Sequence, residues 1–303
     1  MPTRARNVSS VALRLPQRGE VWLFDCGEGT QHQLQRTPLK ISQISRIFIT
    51  HLHGDHLFGL MGLLATCGLA GQAQEIHLYG PDGLEDYVRM SAQLSRTTLS
   101  DTLKIHTVEP GCLYRDDEFS VTCQPLKHRI TSYGYRVTES NRPGKFDVER
   151  AQALGVPHGP LFGRLKRGES IELSDGRVVH GRDLSGAAIE GRSIVYCTDT
   201  TYCQSAVALS DGADALIHEA TFAAEDESLA VQSMHSTTEM AARVAREARV
   251  RQLLLTHFSP RYTKESQVTP DDLLAEARAI FPRTEMARDF MTYEVPRRDR
   301  SVE

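Results

Sequence analysis

The sequence predicts an α/β fold built as one domain with an insertion, and three observations carry that expectation. Short β-rich runs alternate with helical patterns along most of the 303 residues, a cluster of histidines and an aspartate closes one of those runs, and one long segment abandons both periodicities. A chain of this length with 40% hydrophobic residues can bury one large core or two smaller ones, so the motifs decide the organisation.

Taken in order, extended runs cover residues 8–15, 20–25 and 46–51, each ending where a polar residue enters, with a helical pattern over 28–36 between the last two. Further strands are expected at 75–79, 103–108, 119–124, 133–138, 193–198, 215–218, 252–256 and 291–295, and helices at 57–70, 81–94, 237–247 and 270–280. Two helices carry start signals: Ser236 with Glu239 reads as a capping box, and Thr269 precedes Pro270, a favoured first helical residue. The first of these starts follows His235 directly, so a phosphate near that imidazole would also meet the free N–H groups of the helix and the positive end of its dipole. Between residues 140 and 192 the pattern dissolves into Gly, Pro and charge, with Lys and Arg outnumbering Asp and Glu, which reads as an excursion from the core.

Composition removes several classes of function. The net charge of -4 excludes a globally basic nucleic-acid binder, so an acidic partner would have to be held by a local patch. The N-terminus lacks an apolar stretch of signal-peptide length, and the most apolar run, residues 57–70, falls short of the ~20 residues that cross a bilayer, so a cytoplasmic protein without a membrane partner is expected. Six cysteines (Cys26, Cys67, Cys112, Cys123, Cys197 and Cys203) are scattered without a CxxC pair, which argues against a thiolate zinc finger or a small disulfide scaffold and for buried small hydrophobes.

The strongest chemical signal is Thr-His-Leu-His-Gly-Asp-His at residues 50–56, which follows the run Arg-Ile-Phe-Ile and precedes an apolar helix. On such a strand-to-helix turn, His51 and His53 can reach one cation while Asp55 and His56 reach another, and imidazoles and carboxylates are suitable ligands for zinc. Further ligands should come from other strand ends, where His128, Asp199 and His257 stand. Singly, each reads equally as a polar residue capping a strand; beside the 51–56 cluster they become candidate ligands, with Asp199 suited to bridge two cations ~3.5–4 Å apart. A water shared by such a pair turns acidic enough to serve as nucleophile without a serine or cysteine.

With these motifs the chain resembles the metallo-β-lactamase superfamily and, within it, the ribonuclease Z family in its short form. The resemblance rests on Phe24-Asp-Cys-Gly-Glu-Gly-Thr-Gln31, the 51–56 motif, His128, Asp199-Thr200, His218-Glu-Ala-Thr221, His235-Ser-Thr237 and Thr256-His-Phe-Ser-Pro-Arg-Tyr262, and covers nearly the whole length. It implies an αβ/βα sandwich of two mixed sheets flanked by helices, and two zinc ions per subunit, with manganese as the open alternative. One would be held by His51, His53 and His128 and the other by Asp55, His56 and His257, with Asp199 shared. It also implies Asp55 as proton acceptor for the attacking water, Asp25 as an outer support of the ligand loop, His235 as proton donor to the leaving oxygen and Glu219 as the group that orients and charges His235. His218 has a weaker case and reads equally as a buried strand-end histidine.

By the same resemblance the segment of roughly 140–192 is a flexible arm that grips tRNA, with Gly159-Pro160 and Arg164-Leu-Lys-Arg167 as its matching features. The apolar stretch 57–70 has little polar face, so it is buried in its own core or against a second copy, and the resemblance implies a homodimer. Family members usually place a strand and a glycine-rich loop ahead of the segment matched here by Pro2-Thr-Arg-Ala-Arg-Asn7, which stands almost at Met1. Either an upstream start restores that strand and raises the melting temperature, or a neighbouring strand edge is left unpaired. The expected activity is removal of the 3′ trailer from precursor tRNA. The alternatives are a small-molecule phosphodiesterase of the same fold, which would not need the arm, and a non-catalytic RNA-binding protein, which would not need a full ligand set.

Overall fold

Side chains along a strand alternate between its two faces, and that alternation sorts this chain into layers. The computed structural model describes residues 2–69 and 75–298, so Ala70, the last residue of the apolar stretch, lies outside the described residues. The first sheet is built from β1 (Val11–Leu15), β2 (Glu20–Phe24), β3 (Ile44–Phe48), β4 (Ile76–Gly80) and β5 (Leu103–Thr107), side by side in that order. Only the β1–β2 pair is antiparallel; the rest run parallel because helices intervene. Those helices are α1 (Thr30–Leu34), α2 (Gly54–Leu57), α3 (Leu60–Leu69) and α4 (Leu84–Ser95).

The second sheet contains β6 (Gly111–Arg115), β7 (Phe119–Pro125) and β8 (Tyr133–Glu139), then β11 (Ser193–Cys197), β12 (Ala215–Glu219), β13 (Leu253–Thr256) and β14 (Thr284–Met286). Its order is β14-β13-β12-β11-β8-β7-β6, and the four strands from β11 to β14 are parallel. Helices α7 (Gln204–Ser210), α8 (Glu227–Ser233), α9 (Thr238–Glu247) and α10 (Pro270–Ile280) accompany it. The result is the expected αβ/βα sandwich of two mixed sheets flanked by helices.

The central strands feed two cores. Val21 and Leu23 of β2 face the same apolar cluster as Ile47, Leu60, Leu63, Leu64 and Leu78, whereas the neighbouring Trp22 and Phe24 turn the other way. There Phe24, Phe48 and Tyr79 stack at centroid separations of 5.1 and 4.9 Å, and Tyr135 of β8 and Tyr196 of β11 pack on them from the second sheet at 5.4 and 5.8 Å. Val195 and Cys197 flank Tyr196 but face the outer cluster with Leu216, Leu253, Ala241 and Ala277. The stretch beginning at Leu57 divides into α2 and α3, and α3 buries Leu60, Leu63, Leu64 and Cys67 on one stripe in its own core, leaving Phe58 and Leu69 63% and 88% exposed.

A second unit comprises residues 115–120, 138–192 and the segment from Pro296 onward. Where irregular chain was expected it carries α5 (Val148–Ala153), α6 (Pro160–Lys166) and a hairpin of β9 (Ser170–Glu172) and β10 (Val178–His180). Phe146, Ala151, Phe162, Leu165, Ile171, Val179 and Leu184 form a small core of its own. Antiparallel bridges Arg142 with Ile189 and Phe146 with Ser185 close its base.

Three sequence expectations need correction. Residues 291–295 form no strand: their alternation marks a segment with one half-buried face rather than a ladder, and the sheet edge is β14 instead. The helix after His235 is capped by Thr237, whose side chain accepts from the Met240 N–H, because the Ser236 hydroxyl is buried and donates to the Thr200 carbonyl at 2.6 Å. Four cysteines are buried, but Cys112 is exposed and Cys203 half-buried; all six are free thiols. No helix among the described residues is long and apolar enough to cross a membrane.

Candidate metal centre

The parallel strands converge their C-terminal ends on one edge of the sandwich, and the candidate residues stand there. His51 follows β3, Glu219 ends β12, and Asp25, Asp199 and His257 follow β2, β11 and β13. The last three share a left-handed backbone with φ of 59°, 36° and 57°. For residues with a Cβ that conformation costs roughly 1–2 kcal/mol each, and it turns each side chain off its strand toward a common point.

The ligand loop is held there by close backbone approach. Cys26 N–H donates to the His56 carbonyl and Gly59 N–H to the Cys26 carbonyl, at 2.8 and 2.9 Å. A Cβ on Gly59 would lie 2.0 Å from the Gly27 carbonyl oxygen, and one on Gly27 would lie 2.2 Å from that of Asp55, so neither position has room for a side chain. The Phe24–Gln31 motif and the 51–56 motif therefore form one packed unit.

Two ligand sets meet on one carboxylate. His51, His53, His128 and Asp199 bring one potential ligand atom each to a common space, as do Asp55, His56 and His257, and as do Asp199, His235 and His257. Asp199 Oδ2 lies 3.4 and 3.7 Å from the Nε2 atoms of His51 and His128, while its Oδ1 lies 3.2 and 3.3 Å from those of His56 and His257. His53 Nδ1 and His128 Nε2 approach to 3.2 Å. Donor atoms bound at 2.0–2.1 Å around a tetrahedral zinc stand about 3.3 Å apart, so these separations are consistent with atoms that share a cation. His51 Nε2 is buried with no hydrogen-bond partner, an arrangement a cation would satisfy. All-imidazole and carboxylate donors suit zinc and manganese alike.

Outer partners aim these rings. His56 Nδ1 donates to Asp25 Oδ2 at 2.7 Å, His51 Nδ1 to the Thr50 hydroxyl at 2.9 Å, His128 Nδ1 to the Met234 carbonyl at 2.9 Å and His257 Nδ1 to the Thr221 hydroxyl at 2.9 Å. Each of these four presents Nε2 inward. Asp25 is itself fully buried and also accepts from the Thr50 N–H and hydroxyl and from the Tyr196 hydroxyl. Thr50, Tyr196 and Met234 had drawn no functional reading from the sequence. Tyr196 in particular sits at an apolar strand position that reads as core.

Charge follows the same geometry. His257 hydrogen bonding holds the Asp55 carboxyl well below the usual carboxylate range, and burial, which would raise Asp199, is outweighed by His257 and His56, so Asp199 also stays anionic. Burial pulls His128 down to about 4 and lowers His53, favouring the neutral form that binds cations. His56 goes the other way: Asp199 and Asp25 overcome its burial.

Beside the ligand sets, His235 Nδ1 donates to Glu219 Oε1 at 2.8 Å and its Nε2 lies 4.0 Å from Asp199 Oδ2, with 17% of the side chain exposed. Glu219 is fully buried and accepts the N–H groups of Thr200 and Thr221 as well. Burial works against the charged imidazole, but Glu219 outweighs it and raises His235, while His235 in turn lowers Glu219 against burial. His218 is fully buried with Nδ1 on the Glu219 carbonyl and belongs to neither ligand set.

Residues 4–142 match the model described as anti-Pycsar protein Apyc1, and residues 165–258 match the beta-lactamase superfamily domain. The ribonuclease Z of a Nostoc species is 62% identical over 302 residues, 100% of this chain and 94% of its own length, and that of Rippkaea orientalis is 61% identical over 303 residues, 100% and 96%. The crystal structure of the short form of human tRNase Z aligns with a TM-score of 0.68 at 32% identity, covering 97% of this chain and 95% of that one. By its ligand motif, its sandwich and this identity over its full length, the chain belongs to the ribonuclease Z family of the metallo-β-lactamase superfamily.

Proposed function

We propose that this chain removes the 3′ trailer from precursor tRNA by hydrolysing one phosphodiester just past the discriminator base. The observation that supports this reading most is that the two oxygens of Asp199 face different histidines, Oδ2 His51 and His128 and Oδ1 His56 and His257, with the His235–Glu219 pair alongside. In this reading His51, His53 and His128 hold one divalent cation and Asp55, His56 and His257 the other, zinc or manganese, with Asp199 between them. Such ions supply Lewis acidity, making a water more acidic and offsetting charge on the non-bridging phosphoryl oxygens.

The side chains do the rest. Asp55, anionic and 30% exposed, accepts the proton of the attacking water as its oxygen bonds to phosphorus. The bond from phosphorus to the 3′-oxygen breaks, and His235, kept charged by Glu219, protonates the departing oxygen. The products are tRNA with a 3′-hydroxyl and a trailer with a 5′-phosphate.

Residues 140–192 act as the arm that holds tRNA. Gly159, with φ of 133°, and Pro160 set the start of α6, whose far end carries Arg164, Lys166 and Arg167. Glu169 pairs with Arg164 and Arg167, so the exposed Lys145, Arg150, Lys166 and Arg182 carry the phosphate contacts. The working form is a cytoplasmic homodimer in which one subunit's arm serves the other's metal centre; six free thiols suit a reducing compartment. The test is excision of residues 143–188, whose flanks Arg142 and Ile189 already pair. Hydrolysis of bis(p-nitrophenyl) phosphate should persist and precursor cleavage should be lost; cleavage at the wild-type rate would remove the arm from the reading.

A further inference from the structure

We infer that Thr221 is a positioning residue whose single hydroxyl orients both the ligand His257 and the proton donor His235, the latter through Glu219. The inference deepens the function proposed above and rests on the roles given there to those two histidines. Thr221 Oγ1 lies 2.6 Å from Glu219 Oε2, 2.9 Å from His257 Nδ1, 3.0 Å from the His257 carbonyl and 3.4 Å from His235 Nδ1.

A hydroxyl has one proton to give. The shortest contact is with an ionised carboxylate, which takes that proton in preference to a neutral carbonyl. Its lone pairs then accept from His257 Nδ1–H, which aims His257 Nε2 into the space it shares with Asp199 Oδ1 at 3.3 Å and Asp55 Oδ2 at 3.5 Å. With Oε2 of Glu219 held by the Thr221 hydroxyl and N–H, Oε1 is fixed for His235 Nδ1–H at 2.8 Å. The two imidazoles consequently lie nearly parallel, 16° apart at a centroid separation of 5.5 Å. Thr221 also steadies the strained His257 backbone, because its carbonyl accepts the Ser259 N–H just beyond that residue. One hydroxyl thereby sets the orientation of a ligand on one side and the geometry of the proton donor on the other.

The test uses the full-length chain and three readouts. Zinc titration of metal-free wild type should resolve two binding events. In Thr221→Val, which keeps the shape and loses the hydroxyl, one event should weaken by about 10- to 100-fold, the usual effect of removing an outer partner of a ligand, while the other stays at the wild-type value. The kcat for precursor tRNA should fall with KM unchanged, and Thr221→Ser should restore both zinc affinity and kcat. Two zinc ions bound by Thr221→Val at wild-type affinity would overturn the assignment alone. Failure of serine to restore them would also overturn it, by tracing the effect to the methyl group. A single zinc per wild-type chain would overturn the two-metal reading and this assignment with it.

Discussion

Replacing Tyr196 by phenylalanine removes one atom from the centre of the sandwich and should be felt at both the fold and the metal centre. The hydroxyl donates to Asp25 Oδ2 at 3.0 Å, joining the second sheet to a carboxylate on the first, and both side chains are buried. Burial and the Asp25 charge raise the phenol well above its ordinary value, so it remains a donor at any working pH. A hydrogen bond to a charged group contributes about 1.5–3 kcal/mol. Asp25 keeps the Thr50 N–H, the Thr50 hydroxyl and His56 at 2.7–3.0 Å, so the loss belongs at the lower end, about 1.5–2 kcal/mol. At about 2–3 °C per kcal/mol for a domain of this size, the melting temperature of the metal-free protein should drop by roughly 3–6 °C. Because Asp25 orients His56 directly and His51 through Thr50, zinc affinity should fall for both ligand sets rather than one. Thermal unfolding followed by circular dichroism, paired with zinc titration, measures both effects. A shift under 1 °C with unchanged zinc binding would refute the strut.

Two further outcomes follow from the same geometry. His235 is raised against its burial by Glu219, so activity that needs the charged imidazole is present below its pKa and lost as pH rises through it; Glu219→Gln should move that loss to lower pH in the kcat profile for precursor tRNA, and an unmoved alkaline limb would count against the pair. Gly59→Ala places a Cβ 2.0 Å from the Gly27 carbonyl oxygen, forcing backbone to shift at a cost of about 1–3 kcal/mol; a urea midpoint equal to wild type would contradict the packed-loop account.

How far the sequence discloses this protein depends on whether a residue's type or its partners define its role. His51, His53, Asp55 and His56 are legible because few other jobs need three imidazoles and a carboxylate in six residues, and Asp199 and His257 because a polar side chain closing an apolar strand has to face something. Tyr196 is illegible for the opposite reason: apolar neighbours on a strand make its ring look like core, which it also is, and only the fold brings its hydroxyl to Asp25. The elements inside the insertion are hidden by its composition. Its glycines and prolines mark boundaries of elements, as Gly159 and Pro160 do for α6, rather than an absence of structure, and its core came from widely spaced residues such as Phe146, Phe162 and Val179. Ser236 and Thr237 both satisfy the sequence rule for a helix cap; burial and the Thr200 carbonyl decided between them.

The most direct test of the account is cleavage of a labelled precursor tRNA by the purified full-length chain with zinc or manganese, beside an Asp55→Ala control. A single cut just past the discriminator base, leaving a 3′-hydroxyl on the tRNA and absent from the control, is the predicted result. Intact precursor in the presence of bound metal, while bis(p-nitrophenyl) phosphate is still hydrolysed, would contradict it.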